Sequence, residues 1–206
     1  MDVLAAVSIA ACVGVVVAVW VAGALYNAFR FPPDASHAAR EGPRSELSLT
    51  VGDARLIGLA VVCVGLAIVG RGYVNRLAVG AFWVRFLGLS VLVASTVFTL
   101  WARFSLGTMW SLAPRITGDG QLRTRGPYAV TRHPIYSGML GMLLGATLIS
   151  GIGQWIVLFP VGLIVFEVKI RIEERLMLAT FPDEYPRHRH RVPQLVPGLN
   201  VLFQPR

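Results

Sequence analysis

Residues 134–174 read PIYSGMLGMLLGATLIS, then GIGQ, then WIVLFPVGLIVFEVKIRIEE. Positions 135–166 carry no charged side chain, and that run is too long for one bilayer crossing of about 20 apolar residues. Gly151-Ile152-Gly153-Gln154 interrupts it, so the spacing predicts a helical hairpin. One span runs from about residue 134 to 150 and the next begins at about 154. In such a hairpin the start of the first helix lies beside the end of the second. His133 and Tyr136 are therefore expected to meet Glu173 and Glu174.

Moving outward, 3–29 is charge-free and ample for a span. It lacks a basic leader and is too long for a cleaved signal peptide, so it is read as a retained helix. Residues 56–70 are charge-free between Arg55 and Arg71, which can snorkel, giving a short second span. Residues 77–102 carry only Arg85 and form a third. The expected fold class is thus all-α: a polytopic transmembrane bundle of about five spans. Residues 1–100 supply three N-terminal spans, and 101–206 supply the hairpin, a basic tail and the chemistry.

Composition agrees. The 206 residues are 55% hydrophobic and 15% charged, against about 25% charged in soluble domains. Mean hydropathy is +0.63. The formal charge of +8 points to membrane topology and lipid headgroups, not nucleic acid. Of 19 Lys and Arg, 16 lie in 30–55, 103–132 or the tail from Lys169; Arg71, Arg76 and Arg85 lie on the other side. The positive-inside rule then places the N-terminus outside and the C-terminus in the cytoplasm. Short loops and a minimal bundle suggest a prokaryotic plasma membrane. Cys12 and Cys63 sit in apolar runs and suggest neither a disulfide framework nor a metal site.

Chemistry concentrates at the free ends of the hairpin. Pro134 suits the first turn of a helix, which puts Arg132 and His133 at its entrance, where open backbone N–H groups favour an anion or carboxylate. Glu167 lies about 18 Å along from Trp155, deep for a carboxylate. Lys169 and Glu173 share one face of the last helix, and Glu167, Arg171 and Glu174 another. The Arg and His residues at 187–191 read as a headgroup-contacting surface. Gly118-x-Gly120 and Gly151-x-Gly153 lack the third glycine and preceding strand of a dinucleotide loop.

Taken together, these pieces resemble the isoprenylcysteine carboxyl methyltransferase family and its phospholipid methyltransferase relatives. The resemblance covers roughly 101–197. It rests on Trp101-Ala102 with Leu106-Gly107, then Leu122-x-Thr124-x-Gly126-Pro127-Tyr128 and Arg132-His133-Pro134-x-Tyr136-x-Gly138. It continues through Glu173-Glu174-x-Leu176, Phe181-x-x-x-Tyr185, and Arg191-Val192-Pro193 followed by Pro197. It implies S-adenosyl-L-methionine as cofactor, in a pocket at the cytoplasmic face. Tyr128, His133 and Tyr136 would contact it, Leu122 would pack on it, and Glu173 would hold its ammonium or ribose. Gln121, Pro134, Glu174 and Tyr185 complete the implied cofactor set. Lys169 stands where the family often places an arginine that orients the acceptor, with Arg171 as the alternative; these two and Glu173 form the implied catalytic set. Lysine is a point charge without arginine's bidentate fork. His188 and Pro182 also depart from the family's usual Tyr and Gly.

The reading is a membrane methyltransferase acting on a lipophilic or lipid-linked acceptor. A prenylated carboxyl, a phospholipid amine, a quinone-like hydroxyl and a small thiol all stay open, as does the oligomeric state. The runners-up are an NADPH-dependent membrane reductase of the sterol-reductase type and a non-enzymatic membrane protein. The five-span topology has a direct check. Cysteines introduced at Ser111 and Gln194 should label from one side of the membrane and a cysteine at Gly153 from the other; labelling of all three from one side would sink it.

Overall fold

The computed structural model describes residues 3–30, 58, 81–106, 122–150 and 155–195, and every regular element among them is a helix. In chain order these are α1 (Val3–Arg30), α2 (Phe82–Leu106), α3 (Pro127–Val130), α4 (Pro134–Ile149), α5 (Trp155–Thr180) and α6 (Glu184–Arg191). The expected span at 56–70, the hairpin tip at 151–154 and Gln121 lie outside the described residues.

Among the described helices, α1 and α2 are long and apolar enough to cross a membrane. Their outer faces fit that setting: Val13, Val17 and Val21 on α1, and Phe86, Val93, Val97 and Phe104 on α2, are exposed. In water such a face would be an aggregation liability; against lipid tails it is solvated. Helix α4 is apolar but has 16 residues, about 24 Å of rise. Helix α5 has 26 residues, about 39 Å, and its last third is charged.

Within lipid, apolar burial does not drive helices together, so close van der Waals packing must do it. The antiparallel contact of α2 with α4 is built for that. A Cβ on Gly145 would stand 2.6 Å from the backbone nitrogen of Leu92, and one on Gly88 would stand 2.6 Å from that of Ile149. Gly141 faces Ser95 and Gly138 faces Thr99 at similarly close range. Three threonine hydroxyls of the two helices donate within their own helix. Thr96 donates to the Leu92 carbonyl at 2.8 Å, Thr99 to Ser95 at 2.8 Å, and Thr147 to Leu143 at 2.8 Å, each four residues back. Where α1 joins this pair, Val16 packs with Leu92 and Met142, and Ile9, Cys12, Trp20 and Leu100 close around them.

Helix α5 returns along α4, with Gly162 admitting the Leu143 side chain. The tail folds more than its prolines suggest. Pro186 lies inside α6, but in the first turn, where a missing N–H costs nothing because those groups have no intrahelical partner. Tyr185 and His188 turn inward and are buried, while Arg187, His190 and Arg191 face out.

Gly145→Val should lower stability by about 2 kcal/mol, the usual scale for overpacking a tight core. Gly14→Ala, where an added Cβ meets nothing within 4 Å, should be neutral. Thermal unfolding of the detergent-solubilised variants checks the pair.

Candidate active site

The approach to α4 is set residue by residue. Gly126 has φ +65°, a left-handed value that glycine adopts without a Cβ penalty. Pro127 then opens the single turn of α3, which carries Tyr128. Thr131 is extended, His133 caps α4, and Pro134 occupies its first turn. This sequence of turns brings Arg132 and His133 against the far end of α5.

The two glutamates there are treated differently. Oε1 of Glu174 lies 2.9 Å from Nη2 of Arg132 and 3.4 Å from Nε2 of His133, and its Oε2 lies 3.7 Å from Nε of Arg189. Its side chain is 11% exposed. Glu173 is 29% exposed; it accepts a short hydrogen bond from the Tyr136 hydroxyl and lies 3.7 Å from Nδ1 of His133. Tyr136 stacks between His133 and Phe166, with ring centroids at 6.0 and 5.2 Å. One carboxylate is thus surrounded by cations, while the other sits at the rim beside aromatic faces with lone pairs open to a ligand. The buried His133 ring touches both. Burial alone would push its pKa down, but hydrogen bonds and charge from Glu173 and Glu174 outweigh that and hold it above the ordinary value.

A strap from the tail closes over this corner. The Arg132 backbone N–H donates to Pro193 O at 2.8 Å and that of His133 to Gln194 O at 3.2 Å. Oγ1 of Thr131 donates to Gln194 O at 2.7 Å, and Oγ of Ser137 to Leu195 O at 2.5 Å. Nη1 of Arg132 reaches the carbonyls of Arg189 and Val192 at 2.8 and 3.2 Å. The amides expected to await an anion at the entrance of α4 are therefore taken, at Arg132 and His133, by tail carbonyls.

The structure brings His133, Pro134, Tyr136, Glu173 and Glu174 to one place. Tyr185 is buried on α6 against His188, their rings 6.5 Å apart, and the charge of Glu174 acts on its hydroxyl. Tyr128 is half-buried, and its hydroxyl is pushed up chiefly by burial, then by Glu173, with Arg103 opposing. Leu122 is half-buried at the start of this segment. Lys169 is exposed one turn before Glu173. Arg171 gives its Nε to Glu167 at 2.8 Å, and Gln194 donates to the same carboxylate at 2.9 Å. The deep carboxylate of Glu167 is thereby satisfied by its own helix and the strap. Sequence reading missed Thr131, Ser137, Gln194, Arg189, Phe166 and Arg103. Most of these act through backbone carbonyls or ring faces, which leave no spacing signal. Among the described residues no group of three His, Cys, Asp or Glu could hold a metal ion.

The two buried histidines give opposite pH limbs. His133, raised, contributes stability that is complete below about pH 6.5 and is lost as pH climbs through its folded value. His188 is lowered by burial and by Arg132 and His133, so its contribution is present above about pH 6.5 and fades as pH falls. Melting temperature in detergent should therefore decline on both sides of neutrality, and His188→Gln should shrink the acid-side decline alone.

Residues 83–184 match the family model described as phospholipid methyltransferase, a stretch that holds α2 to α5 and the Glu173–Tyr136 corner. The chain is 30% identical over 100 residues to the cobalt-zinc-cadmium resistance protein CzcN of Cupriavidus metallidurans, covering 47% of this chain and 45% of that protein. It thus spans less than half the length of that curated relative. Through residues 83–184, the chain belongs to the phospholipid methyltransferase family of membrane methyltransferases.

Proposed function

We propose that the chain is an integral membrane methyltransferase that uses S-adenosyl-L-methionine and passes the methyl group to a lipophilic acceptor. The observation that carries the reading is the coincidence of the family segment with the partly open Glu173 beside Tyr136 and Phe166. The donor set fits the cofactor: a carboxylate for an ammonium or ribose hydroxyls, and aromatic faces that favour a nearby cation. In this reading Glu173 binds and orients, and Tyr136 fixes the Glu173 carboxylate. His133, Tyr128, Leu122 and Pro134 shape the wall, with Tyr185 as an outer member; Gln121 completes the proposed cofactor set. Glu174 acts mainly by holding Arg132 and His133 in place.

S-adenosyl-L-methionine, when bound, supplies a methyl group on a sulfonium, ready for in-line displacement. The protein's own share is then positioning and exclusion of water. Lys169, exposed one turn before Glu173, meets the acceptor at the rim. Arg171, engaged with Glu167, is the weaker candidate. The proposed architecture keeps five spans, with residues 1–100 as a membrane scaffold and 101–206 as the catalytic region. The site then lies at the cytoplasmic face of a prokaryotic plasma membrane, where a polar cofactor and a bilayer-borne acceptor meet.

Binding of S-adenosylhomocysteine to the detergent-purified protein, with NADPH as comparator, tests the reading. Binding should be seen for the first and not the second. His133→Ala and Glu173→Gln should each weaken it by roughly tenfold, about 1.4 kcal/mol, while His37→Ala should have no effect. Equal losses at His37 and His133 would mean a general folding defect and remove the site assignment.

A further inference from the structure

Gln194 holds two helices at once. Its backbone carbonyl accepts from Oγ1 of Thr131 at 2.7 Å and from the His133 N–H at 3.2 Å, which grips the entrance of α4. Its side-chain amide reaches the other way and donates to Oε2 of Glu167 on α5 at 2.9 Å. The other oxygen of Glu167, Oε1, accepts from Nε of Arg171 at 2.8 Å. Each oxygen has its own donor, so the carboxylate is held in one orientation. The Glu167 side chain is 16% exposed, which shields the bond from competing water, and an ionised acceptor strengthens it.

Glu174 follows Glu167 on the same face of α5, about 10 Å farther along it. The entrance of α4 is thus fastened to one helix face at two points. Arg132 and His133 fasten it at Glu174, at 2.9 and 3.4 Å, and the strap fastens it at Glu167. One point alone leaves a hinge about which the entrance can swing. A second point two turns away removes that freedom. Tyr136 has most to lose from a swing. Its ring stacks on Phe166, the chain neighbour of Glu167, and its hydroxyl meets Glu173. Building on the proposed cofactor site, we infer that Gln194 is a positioning residue: through Glu167 it fixes the placement of His133 and Tyr136 against Glu173. Glutamine suits the task. Its main-chain acceptor and neutral amide donor join a backbone N–H to a carboxylate without adding a charge. Arg171, on this assignment, braces Glu167.

The test uses the full chain in neutral maltoside micelles and reads two quantities. One is S-adenosylhomocysteine affinity. The other, read without any ligand, is hydrogen exchange at the backbone amide of His133, which the Gln194 carbonyl holds. Selective isotope labelling of histidine resolves it among four such amides. Gln194→Glu sets a second carboxylate against Glu167 and should weaken binding roughly tenfold and speed exchange by a similar factor. Glu167→Gln alone keeps an acceptor oxygen for both donors and should leave each quantity within about twofold of the original. Combining Gln194→Glu with Glu167→Gln restores a donor–acceptor pair with the roles exchanged, and both quantities should return to within about threefold. Gln194→Met removes the donor and adds no charge. It should weaken binding roughly threefold, and it decides the matter where Gln194→Glu does not fold. A lower melting temperature with affinity and exchange unchanged would mean a merely structural role and overturn the assignment. So would a double variant no better than Gln194→Glu. Failure of S-adenosylhomocysteine to bind the unmodified protein would instead overturn the cofactor reading, with exchange at His133 still judging Gln194.

Discussion

A carboxylate withdrawn from water loses hydration worth several kcal/mol, and cations with good geometry must replace it. Glu174 meets that condition through Arg132, His133 and Arg189, which come from the entrance of α4 and from α6. The three partners are far apart in sequence, so the requirement ties together the hairpin's open end, the α5 terminus and the tail. Arg132 repeats the logic in reverse: its guanidinium serves Glu174 with one nitrogen and the strap carbonyls with another. Removing Arg132 or Glu174 leaves the other buried without its nearest counterpart. A corner of this kind is rigid because its alternatives are costly, and rigidity is what the proposed role in positioning would require.

The second constraint is steric. The α2–α4 seam is built on Gly88, Gly138, Gly141 and Gly145, which admit the facing backbone or short polar side chains at close range. Such a contact has one favourable register, since a shift of either helix would drive a side chain into the facing main chain. That register sets where Thr99 and Arg103 fall relative to His133, and so couples an apolar packing rule to the layout of the polar end.

The hairpin was legible because charge and apolar run length are one-dimensional signals. Helices α4 at Pro134–Ile149 and α5 from Trp155 begin and end within about a residue of where the uncharged run and the Gly-Ile-Gly-Gln break place them. The meeting of His133 and Tyr136 with Glu173 and Glu174 follows from antiparallel geometry alone. Other features carried no such signal. The strap pairs side chains of Thr131, Arg132 and Ser137 with backbone carbonyls, which any residue can offer. Helix α6 was hidden because Pro186 reads as a breaker until its place in the first turn is known. Arg171 and Glu167 shared a helix face in the sequence, but that spacing does not say whether they serve each other or a ligand.

The strap also has a consequence for how the molecule comes into being. Its hydrogen bonds join positions 57 to 63 residues apart, and they close only after residues 189–195 have left the ribosome. Loop-closure entropy is met late, when long-range contacts can repay it. Until then Glu174 and Arg132 stay hydrated, and the corner is incomplete. A nascent chain arrested before Arg189 would lack the strap that encloses this corner. The order of synthesis therefore delays closure of this corner until after the two helices that it ties together have been made.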